Sequence, residues 1–292
     1  ASIIMPAWNK VEFTVRCVQS VVEHTPDIYE FIAVDNASVD ETPQFLASLE
    51  GPVKVITNEE NLGFIEACMI GAEAAEGEYL VWLNNDTEVR PGWLEALVDY
   101  ADAHPEVGAI GSKLIYPDGR LQEAGGIIFS DATGWNYGKF QDANAGQYNF
   151  VRDVDYCSGA VLLIRRTAWD QVGGLDRYFK PAYYEDTDLC FSLRAAGWRV
   201  VYQPASVVVH VEGATNGTNT NTGVKRWQAV NHEKFLAKWR EVLERDHWPS
   251  PPQWLKQAAM RNREKNILVI DRLLPWFDRA SGSLRTLEIV KA

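Results

Sequence analysis

The chain has 292 residues, 28 basic and 40 acidic side chains and a formal charge of −12, a length for one large domain or two small ones and a charge that argues against nucleic-acid binding. Its 46% apolar composition supports a core, yet no apolar run approaches the roughly 20 residues that span a bilayer, and no charged-then-apolar leader opens it, so secretion is not expected. Cys17, Cys68, Cys157 and Cys190 stand far apart without a CxxC pair, which points to buried thiols in a reducing cytoplasm and excludes a disulfide frame or zinc site.

The chain starts directly on an apolar strand, Ser2 to Pro6, as a domain trimmed from a longer protein would. Further strands are expected at 31–34, 53–56 and 79–83, with helices over about 10–24, 40–49 and 63–76 between them. This alternation implies a parallel sheet covered on both faces, with right-handed crossovers. Another helix opens at Pro91-Gly92-Trp93; Trp93, Leu94, Leu97, Val98 and Ala101 form its apolar stripe, and Pro105 ends it. From 107 to 165 the pattern changes to short apolar runs at 109–116, 124–129 and 156–164, which read as mixed or antiparallel strands around a surface loop at 131–150. A helix at 186–196 and two strands at 200–202 and 207–210 follow. Residues 213–223 are polar and turn-rich, either a disordered linker or a lid beside a site. Helices are expected at about 224–246 and 251–264, and a strand restarts at 266–270. The organisation expected is a main domain over 1–246, a helical linker over 247–265 and the start of another domain over 266–292.

In an open α/β sheet, ligands bind beyond the carboxyl ends of the strands. Here those ends read Pro6-Ala7-Trp8-Asn9, Asp35-Asn36-Ala37-Ser38, Thr57-Asn58 with Asn61-Leu62-Gly63 close behind, and Asn84-Asn85-Asp86. Each alone is ordinary turn chemistry; together they present polar groups to one crevice. Neither GxGxxG nor GxxxxGK[ST] occurs, so no glycine-rich helix start holds a diphosphate. On a chain this acidic, the remaining partner for a diphosphate is a divalent cation with oxygen ligands, and Asp86 ends a buried strand where such a ligand is needed.

Ser2 to Asn9, Val34 to Thr42, Asn61 to Phe64 and Leu83 to Glu88, followed by Gly173-Gly174-Leu175-Asp176, Tyr184 to Leu189, Gly197 and His210, resemble the family 2 glycosyltransferases, including rhamnosyltransferase-like members, in the family's order over about residues 2–240. These motifs are specific for the family and say little about the sugar. The resemblance implies the GT-A nucleotide-diphospho-sugar transferase fold, an α/β architecture with a mixed, mostly parallel central sheet flanked by helices, here with added carboxyl-terminal helices. It implies metal-dependent inverting transfer from a UDP-, dTDP- or GDP-linked sugar to a hydroxyl of a glycan or lipid-linked acceptor in surface-polysaccharide synthesis, in the cytoplasm or peripherally at the inner face of the membrane. By the same resemblance Pro6, Ala7, Asn9, Asp35, Asn36, Asn58, Asn61, Gly63 and Asn85 contact the nucleotide. Asn84-Asn85-Asp86 takes the place of the family's DxD element, so Asn84, Asp86 and the strand-end His210 are the expected ligands of Mn2+ or Mg2+. Asp186 is the expected base, with Glu185 beside it. Trp135, Tyr156, Ser158 and Gly159 fall where the sugar or acceptor should lie; Gly159 in an apolar strand suits close backbone approach. Lys225 and Arg226 either close over the diphosphate or form a solvated helix face.

Trp93, Trp169 and Trp198 read as core, and Trp239, Trp248 and Trp254 as packing of the last helices on the domain rather than on a membrane. Ile267 to Ser283 resembles the opening of the family 4 glycosyltransferases of the GT-B fold, which implies a fused second transferase module. Two rival readings are a sugar nucleotidyltransferase, which needs a glycine-rich GxGxR-type first loop that Pro6 to Asn9 is not, and a non-catalytic carbohydrate-binding or scaffold module, against which Asp86, Asp186 and His210 together argue.

Overall fold

The computed structural model describes residues 1–25, 29–211, 226–250 and 252–261. The segment 213–223, Lys225 and the tail from 266 onward, with its second resemblance, lie outside the described residues. Residues 1–260 form one compact unit. Among the described residues no helix is long and apolar enough to cross a membrane.

The first half alternates as expected. β1 (Ser2–Ala7), β2 (Glu30–Asp35), β3 (Val53–Thr57) and β4 (Tyr79–Leu83) run parallel in the order β4-β1-β2-β3, and α1 (Val11–His24), α2 (Thr42–Ala47) and α3 (Phe64–Ala74) connect them. Alternate side chains of each buried strand enter different cores, as the period of two requires. Ile4, Ile32, Leu80 and Trp82 pack against α3, while Ile3, Met5, Phe31 and Val81 pack against α1. The buried residues of α1, Thr14, Cys17, Val18 and Val21, recur at helical spacing.

The second half extends the sheet with mixed polarity. It contains β5 (Thr87–Val89), α4 (Trp93–Ala103), β6 (Val107–Ile115), β7 (Leu121–Glu123), β8 (Gly126–Ile128), β9 (Gly134–Asn136), β10 (Arg152–Asp153), β11 (Val161–Arg165), α5 (Arg166–Val172), α6 (Glu185–Ala195), β12 (Arg199–His210), α7 (Arg226–Asp246) and α8 (Leu255–Ala259). The main sheet runs β10-β12-β6-β11-β4-β1-β2-β3, with β11 antiparallel to both of its neighbours and β12 parallel to β6. Two sequence expectations are corrected here. The strands expected at 200–202 and 207–210 are one strand, β12, whose register against β6 shifts between Gln203 and Val207. Pro204 lies in that interval; it has no N–H for the ladder, so an interruption costs least there. The run 156–164 becomes strand only from Val161; residues before it form a loop beside the site.

Trp93 and Trp169 are core, whereas Trp198 is half-buried and donates its indole N–H to Gln171 at 2.8 Å. Trp239 packs on the core and donates to Asp188 Oδ1 at 2.7 Å; Trp248 and Trp254 stack on each other, and α8 lays Ala258 against Ile127 and Phe129. One pairing positions the site. β5 lies antiparallel to the end of β12, with Thr87 opposite His210, and Val211 N–H donates to Asp86 O at 3.0 Å. Residues more than a hundred positions apart in sequence are thereby locked side by side.

Candidate functional site

A cleft of about 740 Å³ opens where β1, β2 and β4 end. Pro6, Ala7 and Trp8 form one wall, Asn36, Asn61 and Gly63 another, and Asn84, Asn85 and Asp86 lie at the bottom. Tyr156, Ser158, Gly159, Glu185, Asp186 and His210 close the far side. Gly63 has φ +84, and a Cβ there would lie 2.8 Å from Pro181 O, so only glycine admits this approach of loop to loop.

Four expected residues stand away from the cleft wall. Asn9, in a left-handed turn that leads into α1, accepts Val39 N–H on its Oδ1 at 2.8 Å and donates its own N–H to Ser38 Oγ at 2.8 Å, which ties the first two strand-end loops together. Asn58 donates to Asn36 Oδ1 at 3.0 Å and so braces Asn36, which itself bonds Asn61 and Leu62. Asp35 is fully buried; Oδ1 takes Ser38 N–H at 3.1 Å, and Oδ2 has no hydrogen-bond partner among the described residues. Trp135 pairs with Ile127, and strand alternation sends it to the face opposite Gly134 and Asn136, which line the cleft.

At the bottom, Asn85 turns its amide inward, donating to Thr14 Oγ1 at 3.0 Å. Asp86 is 7% exposed and faces His210, with Oδ1 and Nε2 3.4 Å apart. His210 Nδ1 bonds Gln122 Oε1 at 2.8 Å, so the ring proton sits on Nδ1 and Nε2 presents a lone pair to the cleft. Asp86 Oδ1 has no hydrogen-bond partner among the described residues. An orphaned buried carboxylate oxygen beside an imidazole lone pair suits a shared cation, with the outer partner of the histidine already in place. Asn84, on the same wall, adds a neutral side chain. Among the described residues no cluster of three His, Cys, Asp or Glu side chains is placed to hold a metal, so a cation here would need further ligands from a bound molecule and water.

On the opposite side, Tyr183 and Tyr184 adopt left-handed conformations that swing the chain into α6. Asp186 in its first turn accepts Gly159 N–H on Oδ2 at 2.9 Å and Thr187 N–H on Oδ1 at 2.6 Å. Burial pushes its carboxyl above the usual range, against the lowering effect of these bonds. Glu185 is raised well above that range by burial and then by the neighbouring Asp186 charge.

The expectations omitted Gln122 and Glu123, which both line the cleft. Glu123 is 1% exposed, accepts Ser158 N–H on Oε1 at 3.0 Å, and is pushed up to about 7 by burial. The only signal available was an ionisable residue beside Gly125-Gly126, where Gly126 packs flat against the Tyr156 ring.

The chain matches glycosyl transferase family 2 over residues 2–172. An uncharacterised protein of Sinorhizobium fredii is 31% identical over 226 residues, which cover 74% of this chain and 25% of the relative. The N-acetylglucosaminyl-diphospho-decaprenol L-rhamnosyltransferase of Mycobacterium tuberculosis is 29% identical over 258 residues, 80% of this chain and 81% of that protein. Among solved structures, GalNAc-T7 with UDP, GalNAc and Mn2+ superposes with a TM-score of 0.67 at 18% identity, over 89% of this chain and 52% of that one; the likeness is one of fold, the GT-A glycosyltransferase fold. With more than half of its length matched and a polar cleft at the carboxyl ends of its parallel strands, the chain belongs to glycosyl transferase family 2.

Proposed function

We propose that this chain catalyses inverting, metal-dependent transfer of a sugar from a nucleoside-diphosphate donor to a hydroxyl of a glycan or lipid-linked acceptor. One observation carries the reading: the Asp86–His210 pair and the Asp186 carboxylate open onto the same cleft. The nucleotide lies along the ends of β1 and β2, against Pro6, Ala7, Asn36, Asn61 and Gly63, with Asp35 Oδ2 behind them as an unused acceptor. Asp86 and His210 Nε2 hold Mn2+ or Mg2+, which when bound supplies charge neutralisation for the departing diphosphate. Asp186 takes the proton of the acceptor hydroxyl as its oxygen attacks the anomeric carbon; the bond to the diphosphate breaks and carries the electron pair away. Gly159 N–H and Thr187 hold that carboxylate in place. Tyr156 and Ser158 supply the wall on which the sugar or acceptor rests.

The M. tuberculosis relative is named for L-rhamnosyl transfer to a diphospho-lipid, and this makes a dTDP-linked rhamnose and a lipid-linked acceptor the first pair to test. A nucleotide-sugar donor and four free, buried cysteines fit a cytoplasmic setting, with membrane contact peripheral. The decisive variant is Asp186→Asn, which keeps the size and one of the two acceptor oxygens. Nucleoside diphosphate release from dTDP-L-rhamnose, UDP-N-acetylglucosamine or GDP-mannose with Mn2+ should fall about a hundredfold or more, while calorimetric binding of the free diphosphate stays within about twofold. Turnover retained in Asp186→Asn would remove Asp186 as the base.

A further inference from the structure

We propose that Glu123 is a positioning residue for the base: through the Ser158–Gly159 peptides it fixes where the Asp186 carboxylate points. The assignment rests on the transferase reading above. Two successive backbone amides are shared between two carboxylates. Ser158 N–H goes to Glu123 Oε1 at 3.0 Å, and Gly159 N–H goes to Asp186 Oδ2 at 2.9 Å. Ser158 Oγ closes the same turn by accepting Ala160 N–H at 3.2 Å. The turn is therefore a rigid link with an acid at each end, and moving one end moves the other. β7 anchors that link to the cation side as well, since Gln122, the residue before Glu123, holds His210. A single three-residue strand thus sets the spacing between the two halves of the reaction centre.

Glu123 is a buried carboxylic acid whose Oε2 has no hydrogen-bond partner among the described residues. Such a group is costly to the fold and needs a reason. The hold on the Ser158 amide supplies one, because the next amide in the chain, Gly159 N–H, is the one aimed at Asp186 Oδ2. A glutamine would accept the same Ser158 N–H, so the role asks for an acceptor at this place and not for its charge.

The test measures kcat and KM for the donor that wild type turns over, from dTDP-L-rhamnose, UDP-N-acetylglucosamine and GDP-mannose with Mn2+, between about pH 5 and 9. Glu123→Gln keeps the Ser158 bond and removes the charge. Its kcat should stay within about threefold and its KM within about twofold of wild type. Glu123→Ala loses the bond as well; its kcat should fall about a hundredfold with KM nearly unchanged, so that Gln rescues most of the loss. A Glu123→Ala variant that keeps its kcat, a loss of the same size in Glu123→Gln, or a loss shared equally between kcat and KM overturns the assignment. A wild type that turns over none of the three donors overturns the transferase reading, and this assignment with it.

Discussion

His210 gives its Nδ1 hydrogen to Gln122 Oε1, and this leaves the other ring nitrogen as a lone pair 3.4 Å from Asp86 Oδ1. Asp86 and Gln122 then have separable effects. In Asp86→Ala, Mn2+ should no longer enhance binding of a nucleoside diphosphate, because the charged ligand is gone. In Gln122→Ala the ligands remain but the imidazole is free to rotate or change tautomer, so the Mn2+ affinity should drop about 10–100-fold. Calorimetric titration of Mn2+ with dTDP, UDP or GDP reads both; an unchanged Mn2+ dependence in Asp86→Ala would remove Asp86 from the cation site. Asp86 could be read from its place just beyond an apolar strand, where ligands bind in this kind of sheet, whereas His210 was reached only through the family resemblance; the fold puts the two side by side. Asn9, Asn58 and Asn85 follow the same rule yet turn their amides to neighbouring loops and helix, since the same residue types that bind nucleotides also close turns. Glu123 stayed hidden for the opposite reason. Its strand is three residues long and carries no periodicity, and only the folded surroundings show that its carboxyl is buried.

At the scale of elements, what long periodic runs carry was legible and what depends on very short strands or distant pairing was not. The first four strands announce themselves as continuous apolar runs between helical patterns. By contrast β5, β7, β8 and β9 are three residues each, too short to show a period; β5 is a strand because it pairs with the distant β12, and the other three because they pair with near neighbours in the chain. The anchoring of α7 belongs to the second kind. Asn231 in its first half is fully buried, and its Nδ2 reaches the carbonyls of Phe179, Ala182 and Tyr183 at 2.6 to 2.9 Å. In sequence it is one polar residue in a helix and reads as solvated. In the structure it ties α7 to the loop that carries Tyr183 and Tyr184 into α6, and hence to Asp186. Asn231→Ala leaves those carbonyls without that donor and should cost about 2 kcal/mol, or roughly 4–8 °C of melting temperature. Because the loop then loosens, transfer measured well below that melting point should fall further than the small loss of folded protein accounts for. Thermal unfolding and donor turnover on the same sample check both parts, and full activity in a destabilised variant would show that the loop does not depend on this anchor.

For the whole molecule, the cleft imposes a pH dependence on stability. Glu123, Glu185 and Asp186 lie together and each is raised, with burial as the first cause. The folded state therefore keeps protons that the unfolded chain releases near pH 4.5, and stability must fall as pH rises through the window from there to the raised folded values. For Glu123 that window runs from 4.5 to about 7. Its width corresponds to about 3 kcal/mol, or roughly 6–12 °C of melting temperature. Glu30, Asp40, Glu66 and Asp176 are lowered instead, by hydrogen bonds and cationic partners; their contribution is full above the usual carboxylate range and disappears only as pH falls below it. The two groups act in different windows, so maximum stability should lie near pH 5 rather than at neutrality. Without divalent cation, the melting temperature should decline from about pH 5 to 8. Glu123→Gln should melt higher than wild type at pH 8 and equally near about pH 3.5, where the carboxyl is protonated in both states. A flat profile across this range, or a variant no more stable at pH 8, would show that the cleft carboxylates are ionised at no cost to the fold.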